Sequence, residues 1–285
     1  MSIQKVKSRL YVETELMGAN LGCVDTEQGL VLIDTPYLPD EIRRWQEAIA
    51  ELSDRKIAYV INTDQHFDHC LGNALLSPNV IAHQLAYEEM TQPDGTMRHY
   101  FVSASEDLTA EVKKQVYDIP IGLPRYTFSD RMWLHLGDAT LELIHMGGHT
   151  ASTIVIYLIE DRVLLSGDVL VSNMHPYKGQ ANFRQWIAAL EKIQEMDIDV
   201  IVPGHGEICD KAEAGRMLEY FRQMWDRVLS LRREGCTKEE IVERARDLIN
   251  FYPVEAGMEA QASMRFDEGI ARLYDEMEAP PGGPE

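Results

Sequence analysis

Apolar runs alternate with amphipathic segments along the first two-thirds of the chain. Residues 29–34 form an almost continuous apolar run that ends in Asp34, which is typical of a strand buried on both faces. Apolar residues at helical spacing follow over 40–52, and the run 57–61 predicts the next strand. A similar order of strands, helix and strand recurs over 131–202. This repetition predicts two mixed β-sheets packed face to face with helices outside.

The pattern changes after the second set of strands, because only helical spacing continues. Apolar residues recur at helical intervals over 211–233 and again over 263–277. Between them, Thr237 and Glu240 form a predicted capping box for a helix that runs to about Ile249. We therefore predict a helical extension that follows the sandwich.

These patterns divide the chain into three parts. We expect a sandwich domain that carries the chemistry over 1–210, the helical extension over 211–278, and a short disordered tail over 279–285. The chain has 285 residues, of which 45% are hydrophobic and 26% are charged. A chain of this length and composition can bury a core without disulfide bonds.

Charge and cysteine content narrow the set of partners and compartments. Lys and Arg number 27 against 47 Asp and Glu, so the net charge of −20 disfavours nucleic-acid partners. The four cysteines form no C-x-x-C pair, which fits a reducing compartment. The chain shows no apolar run of signal-peptide or membrane-spanning length. We therefore expect a cytoplasmic protein that contacts neither nucleic acid nor membrane.

Most of the chemistry-bearing side chains lie where predicted strands end, often beside glycine. Imidazole and carboxylate groups together suit Zn²⁺ and similar divalent ions. Strand ends in layered α/β folds meet at one edge, where sites are built. The residues that this pattern selects are Asp34, Asp64, His66, Asp68, His69, His149, Asp168 and His205.

At these residues the chain resembles the metallo-β-lactamase superfamily of metallohydrolases, over about residues 8–210. The family's metal loop is H-x-H-x-D-H, and the loop here has the order Asp, His, Asp, His over 64–69. The later segments Gly-Gly-His149-Thr, Ser-Gly-Asp168 and Pro-Gly-His205-Gly are also similar to that family. The resemblance implies a four-layer αββα sandwich of two mixed sheets.

The resemblance also implies the roles of the selected residues. A metal-bound hydroxide would attack an ester, thioester, lactone, amide or related bond of a small-molecule substrate. Asp68 is expected to be the catalytic carboxylate, and Asp34 to support the metal loop without ligating. One or two Zn²⁺ ions are the expected cofactor. The implied ligands are Asp64, His66 and His149 for one metal, Asp68, His69 and His205 for a second, and Asp168 as a bridge.

Asp64 departs from the family pattern, because it stands where the first histidine is expected. If three histidines bound the first metal, the charges of two divalent ions, two carboxylates and one hydroxide would sum to a net positive charge. A negatively charged Asp64 as a ligand would cancel that charge. This predicts weaker Lewis acidity and a preference moved toward harder ions such as Mn²⁺ or Fe²⁺. The alternative is that Asp64 does not ligate and that only one site fills.

Residues that follow Asp168 are expected to overhang the site. We predict substrate contacts for His175, Tyr177 and Lys178. The helices after residue 210 could wall the pocket or form the face of a homodimer. Residues 207–285 hold 11 Lys and Arg against 18 Asp and Glu, so they provide no basic cluster for an anionic carrier of the kind a glyoxalase-II-like thioesterase would use.

Two other functions compete with hydrolysis. The first is a mononuclear iron oxygenase on the same scaffold, which iron content and oxygen consumption would reveal. The second is a binding protein with a degenerate metal site, which would retain no stoichiometric metal.

Overall fold

Two β-sheets form the centre of the molecule. The computed structural model describes residues 3–92, 108–254 and 256–278. The first sheet holds seven strands in chain order, β1 (Gln4–Lys5), β2 (Leu10–Glu13), β3 (Leu21–Thr26), β4 (Gly29–Ile33), β5 (Ile57–Ile61), β6 (Val80–His83) and β7 (Tyr126–Phe128). The second sheet has the order β12-β11-β10-β9-β8, with β8 (Arg131–His135), β9 (Thr140–His145), β10 (Ile154–Leu158), β11 (Val163–Val171) and β12 (Val200–His205). Both sheets are mixed, since β4 to β7 pair in parallel, as do β11 and β12, while the other neighbours pair antiparallel.

Helices cover the outer faces of the two sheets. Those before β12 are α1 (Pro39–Leu52), α2 (Phe67–Cys70), α3 (Asn73–Leu76), α4 (Gln84–Met90), α5 (Ala110–Asp118) and α6 (Phe183–Glu195). Those after it are α7 (Lys211–Arg233), α8 (Lys238–Arg244), a 3₁₀ helix (Arg246–Phe251) and α9 (Glu259–Glu278). None of these helices in the described part of the chain is long and apolar enough to cross a membrane.

Apolar clusters between the sheets and on their outer faces hold the layers together. Side chains from both sheets, such as Val31 and Leu165, fill the space between them. Trp45 of α1 packs on the outer face of the first sheet. Trp186 of α6 packs on the outer face of the second sheet, together with Phe221 of α7. This arrangement confirms the predicted four-layer αββα sandwich with C-terminal helices.

The C-terminal helices share their core with the second sheet. Buried residues of α7, α8 and α9 lie in the same cluster as strand residues of β10 and β11. The predicted capping box is present, since the Glu240 amide donates to Thr237 Oγ1 and the Thr237 amide donates to Glu240 Oε2, at 3.3 and 2.8 Å. The helix that it begins is shorter than predicted, because α8 ends at Arg244.

The chain beyond α8 continues as a 3₁₀ helix in place of the predicted α-helix through Ile249. Its side chains are held by partners on other helices: Arg246 pairs with Asp267 at 2.7 Å, and Asp247 pairs with Arg227 at 2.6 Å. These tertiary contacts override the local helical pattern. The predicted tail 279–285 lies outside the described residues.

Candidate metal centre

The metal loop begins directly after β5 and contains the short helix α2. The Asp64 carboxylate folds back on its own loop, since Oδ1 accepts a 2.7 Å hydrogen bond from the His66 amide. That bond leaves the other oxygen, Oδ2, to face away from the loop backbone. Asp68 and His69 then lie on the first turn of α2, where the chain turns toward the second sheet.

Asp64, His66 and His149 bring one donor atom each to a common point. Asp64 Oδ2 lies 3.4 Å from His66 Nδ1 and 3.6 Å from His149 Nε2, and the two imidazole nitrogens are 3.1 Å apart. All three side chains are buried. The group therefore includes Asp64 in the place where a first histidine was expected, and its geometry is that of a possible metal site.

A second group of donors lies beside the first and consists of Asp68, His69 and His205. Asp168 stands between the groups. Its Oδ1 lies 3.5 Å from His69 Nε2 and 3.4 Å from His205 Nε2, while its Oδ2 lies 3.3 Å from His149 Nε2. Each oxygen of this one carboxylate thus faces a different group of donors. The structure brings together all seven side chains for which metal ligation was predicted.

The sequence pattern had predicted that Asp168 follows a strand. In the structure it lies inside β11. The strand runs on from Val163 to Val171 with register shifts against β12 on either side of Gly167. Close packing explains the irregularity, because a Cβ on Gly204 of β12 would stand 2.0 Å from Asp168 Oδ1. Only glycine at position 204 leaves room for the carboxylate.

The histidines of the first group are oriented by acceptors outside it. His66 Nε2 lies 3.1 Å from Gln180 Oε1, and His149 Nδ1 lies 3.2 Å from the carbonyl oxygen of Tyr177. A carbonyl oxygen only accepts, so each outer nitrogen carries the proton. The inner nitrogens, Nδ1 of His66 and Nε2 of His149, then present lone pairs to the site.

Asp34 performs the same role for the second group. Its carboxylate accepts from His69 Nδ1 at 2.8 Å and from the Thr63 amide and hydroxyl at 2.7 and 2.6 Å. Asp34 is buried, and its backbone φ of 57° places it in the left-handed region. The contact leaves His69 Nε2 free to face Asp168 and matches the predicted supporting role.

Several polar atoms at the centre of this site have no hydrogen-bond partner among the described residues. They are Asp64 Oδ2, His69 Nε2 and Asp168 Oδ1, and all three are buried. Orphaned buried polar atoms are costly and rare in native proteins. A divalent cation at each group would coordinate these atoms. The donor set of imidazole nitrogens and carboxylate oxygens therefore fits metal ions such as Zn²⁺.

The side chains of the site perturb one another strongly. Burial raises the pKa of Asp168, but the imidazoles of His205, His69 and His149 outweigh burial and hold that pKa well below its usual range. Burial lowers the pKa of His205, yet Asp168 outweighs it and raises the value to about 8. Burial dominates at His149 and lowers its pKa to about 4. The ionised Asp168 and the neutral His149 have the protonation states that metal ligation requires, whereas His205 would release a proton when a metal binds.

We call the seven predicted metal ligands the metal-facing residues. A cleft of about 250 Å³ opens onto five of them, namely His66, Asp68, His149, Asp168 and His205. Met174, His175, Pro176 and Tyr177 line one side of it together with Arg265 of α9, and we call these five residues the cleft wall. The ring of Tyr177 lies 6.0 and 6.2 Å from the rings of two histidines of the first group. The remaining lining residues are Gly18, Tyr37, His66, Phe67, Asp68, His149, Asp168, Val171 and His205.

His175 lines the cleft as predicted, but its ring is already engaged on both sides. Nε2 donates to the Ile249 carbonyl at 2.8 Å, so Nδ1 accepts from the Tyr220 hydroxyl at 3.0 Å. Burial, with a contribution from Lys178, lowers the pKa of His175 to about 4. His175 is therefore a neutral, fixed part of the cleft wall.

Lys178, also predicted to contact substrate, lies behind the cleft wall and is fully buried. Its ammonium donates to the Pro176 carbonyl at 3.0 Å and lies 5.8 Å from the ring centroids of both Tyr220 and Phe266. Burial, then the charge of Arg265, lowers the pKa of Lys178 to about 7. Lys178 therefore contributes to packing under α9 and not to the lining of the cleft.

The fold and the donor set both match a known family. Residues 16–205 match the metallo-beta-lactamase superfamily. The chain belongs to this superfamily. The match begins before β3 and ends at His205, so it contains every residue of the two donor groups and Asp168.

Individual members of the superfamily differ in how much of this chain they resemble. The linear primary-alkylsulfatase of Pseudomonas sp. (strain ATCC 19151) is 24% identical over 263 residues, which cover 78% of this chain and 49% of the alkylsulfatase. The metallo-beta-lactamase type 2 of Bacillus sp. (strain 170) is 26% identical over 226 residues, covering 74% of this chain and 78% of the lactamase. This chain thus spans about half the length of the alkylsulfatase.

A solved structure extends the likeness to the C-terminal helices. A double mutant of the sec-alkyl sulfatase PisA1 superposes with a TM-score of 0.74 at 17% identity, covering 97% of this chain and 50% of that chain. At this identity the likeness concerns the fold alone. The fold that this chain shares with that structure therefore includes the extension after β12.

Three residues at the site were not anticipated from the sequence. Gln180 holds His66, Thr63 holds Asp34, and Arg265 reaches the cleft from a distant helix. Gln180 and Thr63 stand within four residues of predicted site residues, so proximity in sequence offered a weak signal. Arg265 is one charged residue among many on an amphipathic helix, and nothing in its local pattern indicated the cleft.

Proposed function

We propose that this protein is a metal-dependent hydrolase with a dinuclear site, acting on the ester, thioester, lactone, amide or a related bond of a small-molecule substrate. One observation carries the proposal. The two oxygens of Asp168 face separate groups of three donors, and buried orphan atoms point into both groups. Superfamily membership supports hydrolysis as the reaction class.

The bound ions would supply Lewis acidity, which activates water near neutral pH and polarises the substrate. The protein's own residues then hold the reactants. Asp168 ties the two donor groups together, and Asp34 and Gln180 fix the imidazoles that face them. Asp68, the predicted catalytic carboxylate, lines the cleft and lies with Oδ2 3.5 Å from His205 Nε2. From this position the Asp68 carboxylate accepts a proton from the attacking water and returns it to the leaving group.

Elemental analysis followed by a substrate panel tests this proposal. We expect two equivalents of metal per chain, with Zn²⁺, Mn²⁺ and Fe²⁺ each offered during reconstitution. The panel contains an ester, a thioester, a lactone, an amide and a phosphodiester, with oxygen consumption recorded in parallel. One equivalent of iron with oxygen uptake would favour the oxygenase, and failure to retain any metal would favour a binding protein.

Asp64 sets the charge of the proposed centre, and we infer that it ligates through Oδ2. The variant Asp64→His restores a neutral ligand, so the centre gains one positive charge and its water becomes more acidic. We expect the acidic limb of the pH–rate profile to move to lower pH by about one unit, with metal preference shifted toward Zn²⁺. Asp226→Asn, an exposed change on α7, is the matched control. An unchanged profile and unchanged metal preference in Asp64→His would contradict ligation by Asp64.

Hydrolysis of an alkyl sulfate ester is a second candidate activity. The linear primary-alkylsulfatase matches 78% of this chain in sequence, and the sec-alkyl sulfatase structure covers 97% of it, including the C-terminal helices. An alkyl sulfate therefore belongs in the panel, with sulfate release as the measurement. Turnover of carboxylic esters without sulfate release would exclude this candidate.

A further inference from the structure

Arg265 is a cation in the cleft that the metal centre does not explain. It belongs to the cleft wall and projects from α9, more than 50 residues along the chain from the last metal-facing histidine. It is the single Lys or Arg among the residues that line the cleft in the described part of the chain. Every other ionised group lining the cleft belongs to the predicted metal-binding set.

The guanidinium of Arg265 has no ion pair or hydrogen bond with the residues that the structure describes. Many other arginines of this acidic protein are paired, for example Arg227 with Asp247 and Arg246 with Asp267. Other arginines, such as Arg233, also make no ion pair with described residues, so it is the position of Arg265 at the cleft that distinguishes it. Its five donors therefore remain available to a bound molecule.

Helix α9, which carries Arg265, is fastened to the start of α6 by hydrogen bonds. The Glu276 carboxylate accepts from the amides of Phe183 and Arg184 at 2.6 and 3.0 Å. Arg272 Nε donates to the Ala181 carbonyl at 2.9 Å. The next residue along from Arg265, Phe266, is buried in the helical layer. These contacts join α9 to the start of α6 and hold the helix backbone beside the cleft, while the side chain of Arg265 is exposed.

The chemistry of the cleft then defines what Arg265 would recognise. Besides the donors, the cleft is lined by apolar and aromatic side chains such as Tyr37, Phe67, Val171 and Met174. A planar guanidinium binds oxyanions through parallel hydrogen bonds. An organic molecule with an apolar body and an oxyanion would satisfy both surfaces of the cleft.

We propose that Arg265 is a specificity-determining residue that binds an oxyanion of the substrate, a carboxylate or a sulfonate-like group, beside the metal centre. The inference rests on the proposed function, since it assigns the substrate class of that site. Asp64 lowers the positive charge of the proposed centre, and Arg265 of the helical extension places a positive charge beside it.

Calorimetric binding of three matched probes tests the assignment without relying on turnover. Octanoate and octane-1-sulfonate carry the two kinds of oxyanion on one apolar chain, and octanamide is their neutral counterpart. We expect Arg265→Ala to weaken binding of at least one anion about tenfold, since an arginine–oxyanion contact at a partly solvated site contributes on this scale. Octanamide binding should stay unchanged, and Arg265→Lys should retain part of the preference.

Arg233→Ala is the control, because Arg233 is exposed at the end of α7, does not line the cleft and makes no ion pair with described residues. It should leave all three affinities unchanged. Equal weakening of octanamide in Arg265→Ala, no weakening of either anion, or loss of metal from that variant would overturn the assignment. The relative loss for octanoate and octane-1-sulfonate identifies the type of oxyanion.

The same probes separate this inference from the proposed function. If the wild-type protein hydrolyses no member of the panel but still prefers anions through Arg265, the hydrolase proposal fails and the anion site stands. If hydrolysis is found, the ratio of kcat/KM for 4-acetoxybenzoate to that for 4-acetoxybenzamide should fall about tenfold in Arg265→Ala. An unchanged ratio would reject the role of Arg265 while leaving the hydrolase intact.

Discussion

The metal-facing residues and the cleft wall differ in how the protein holds them. The former stand on β11, β12, α2 and the loops beside them. Five of the seven are buried, while Asp68 and His205 are partly exposed toward the cleft. The wall consists of the segment 174–177 and one residue of α9, and it is supported by side chains of the helical layer. Residues of the sandwich therefore position the chemistry, while the helical layer shapes the space above it.

The comparisons with known proteins follow the same division. The sequence likeness to the Bacillus lactamase covers 74% of this chain, and the structural likeness to the sec-alkyl sulfatase covers 97% of it. Superfamily membership rests on residues 16–205, which end before the helical extension. Changes in the metal-facing residues should therefore abolish function, and changes in the wall should modify it.

The largest effect is expected from Asp168→Asn, which removes the charge that faces both donor groups. We expect loss of metal from at least one group and a fall in kcat of about a thousandfold, since metal catalysis supplies several kcal/mol. Elemental analysis and steady-state kinetics measure both quantities. Asp226→Asn is the matched control, and retention of two metal equivalents in Asp168→Asn would contradict the bridging role.

Gly204→Ala should have the next largest effect, because the new methyl group would displace Asp168 Oδ1. A shift of about 1 Å at a reacting group costs about a hundredfold in rate. The control is Gly215→Ala on α7, where a Cβ meets nothing closer than 3.5 Å. We expect Gly215→Ala to keep full activity and metal content, and equal behaviour of the two variants would show that the close approach at 204 is unimportant.

A smaller effect is expected where the cleft segment touches a metal-facing histidine. Gln180→Ala removes the acceptor that orients His66, and such outer contacts change metal affinity about tenfold to a hundredfold. Titration against a chelating dye measures the affinity of the first group. Gln223→Ala on the exposed face of α7 is the control, and an unchanged affinity in Gln180→Ala would show that the contact with Gln180 does not support metal binding by His66.

The smallest effect concerns stability alone and comes from Lys178→Met. The folded-state pKa of Lys178 is lowered to about 7 from an ordinary value near 10.5, so the unfolded chain binds more protons between these limits. The cost of burying Lys178 is therefore greatest below pH 7 and disappears as the pH rises toward 10.5. We expect Lys178→Met to stabilise the fold by about 2 kcal/mol at pH 7, with wild-type and variant converging at high pH.

Denaturant unfolding at several pH values measures this difference, and Lys114→Met on the exposed face of α5 is its control. Metal content should be the same in all three proteins. A difference between Lys178→Met and wild-type that does not change with pH would show that the ammonium is not the source of the cost.

The sequence predicted the metal-facing residues because their signals are local. Each histidine or carboxylate follows an apolar run and stands near a glycine, as at Gly148 and Gly204. Such a pattern can be recognised in a short segment without knowledge of its tertiary contacts. The strands predicted over 29–34 and 57–61 agree with β4 and β5 to within one residue, since apolar runs of this kind mark buried strands. Asp168 was placed after its strand because the register shifts around Gly167 are produced by packing against β12.

The cleft wall resisted prediction because its members meet only after the helical layer has packed. Arg265 and Tyr177 are 88 positions apart and belong to segments with no shared pattern. Lys178 carries the charge that sequence reasoning selected for substrate, yet α9 covers it, and Gly269 allows that close approach. The packing position of α9 determines whether Lys178 or Arg265 reaches the cleft, and no local sequence pattern predicts that position.

The tight fit at Gly204 has a practical consequence for engineering this protein. A library that randomises positions 204 or 168 would consist largely of apo proteins, because no larger side chain leaves room for coordination. Diversity placed at Met174, Tyr177 and Arg265 would sample altered substrate preference while the ions stay bound.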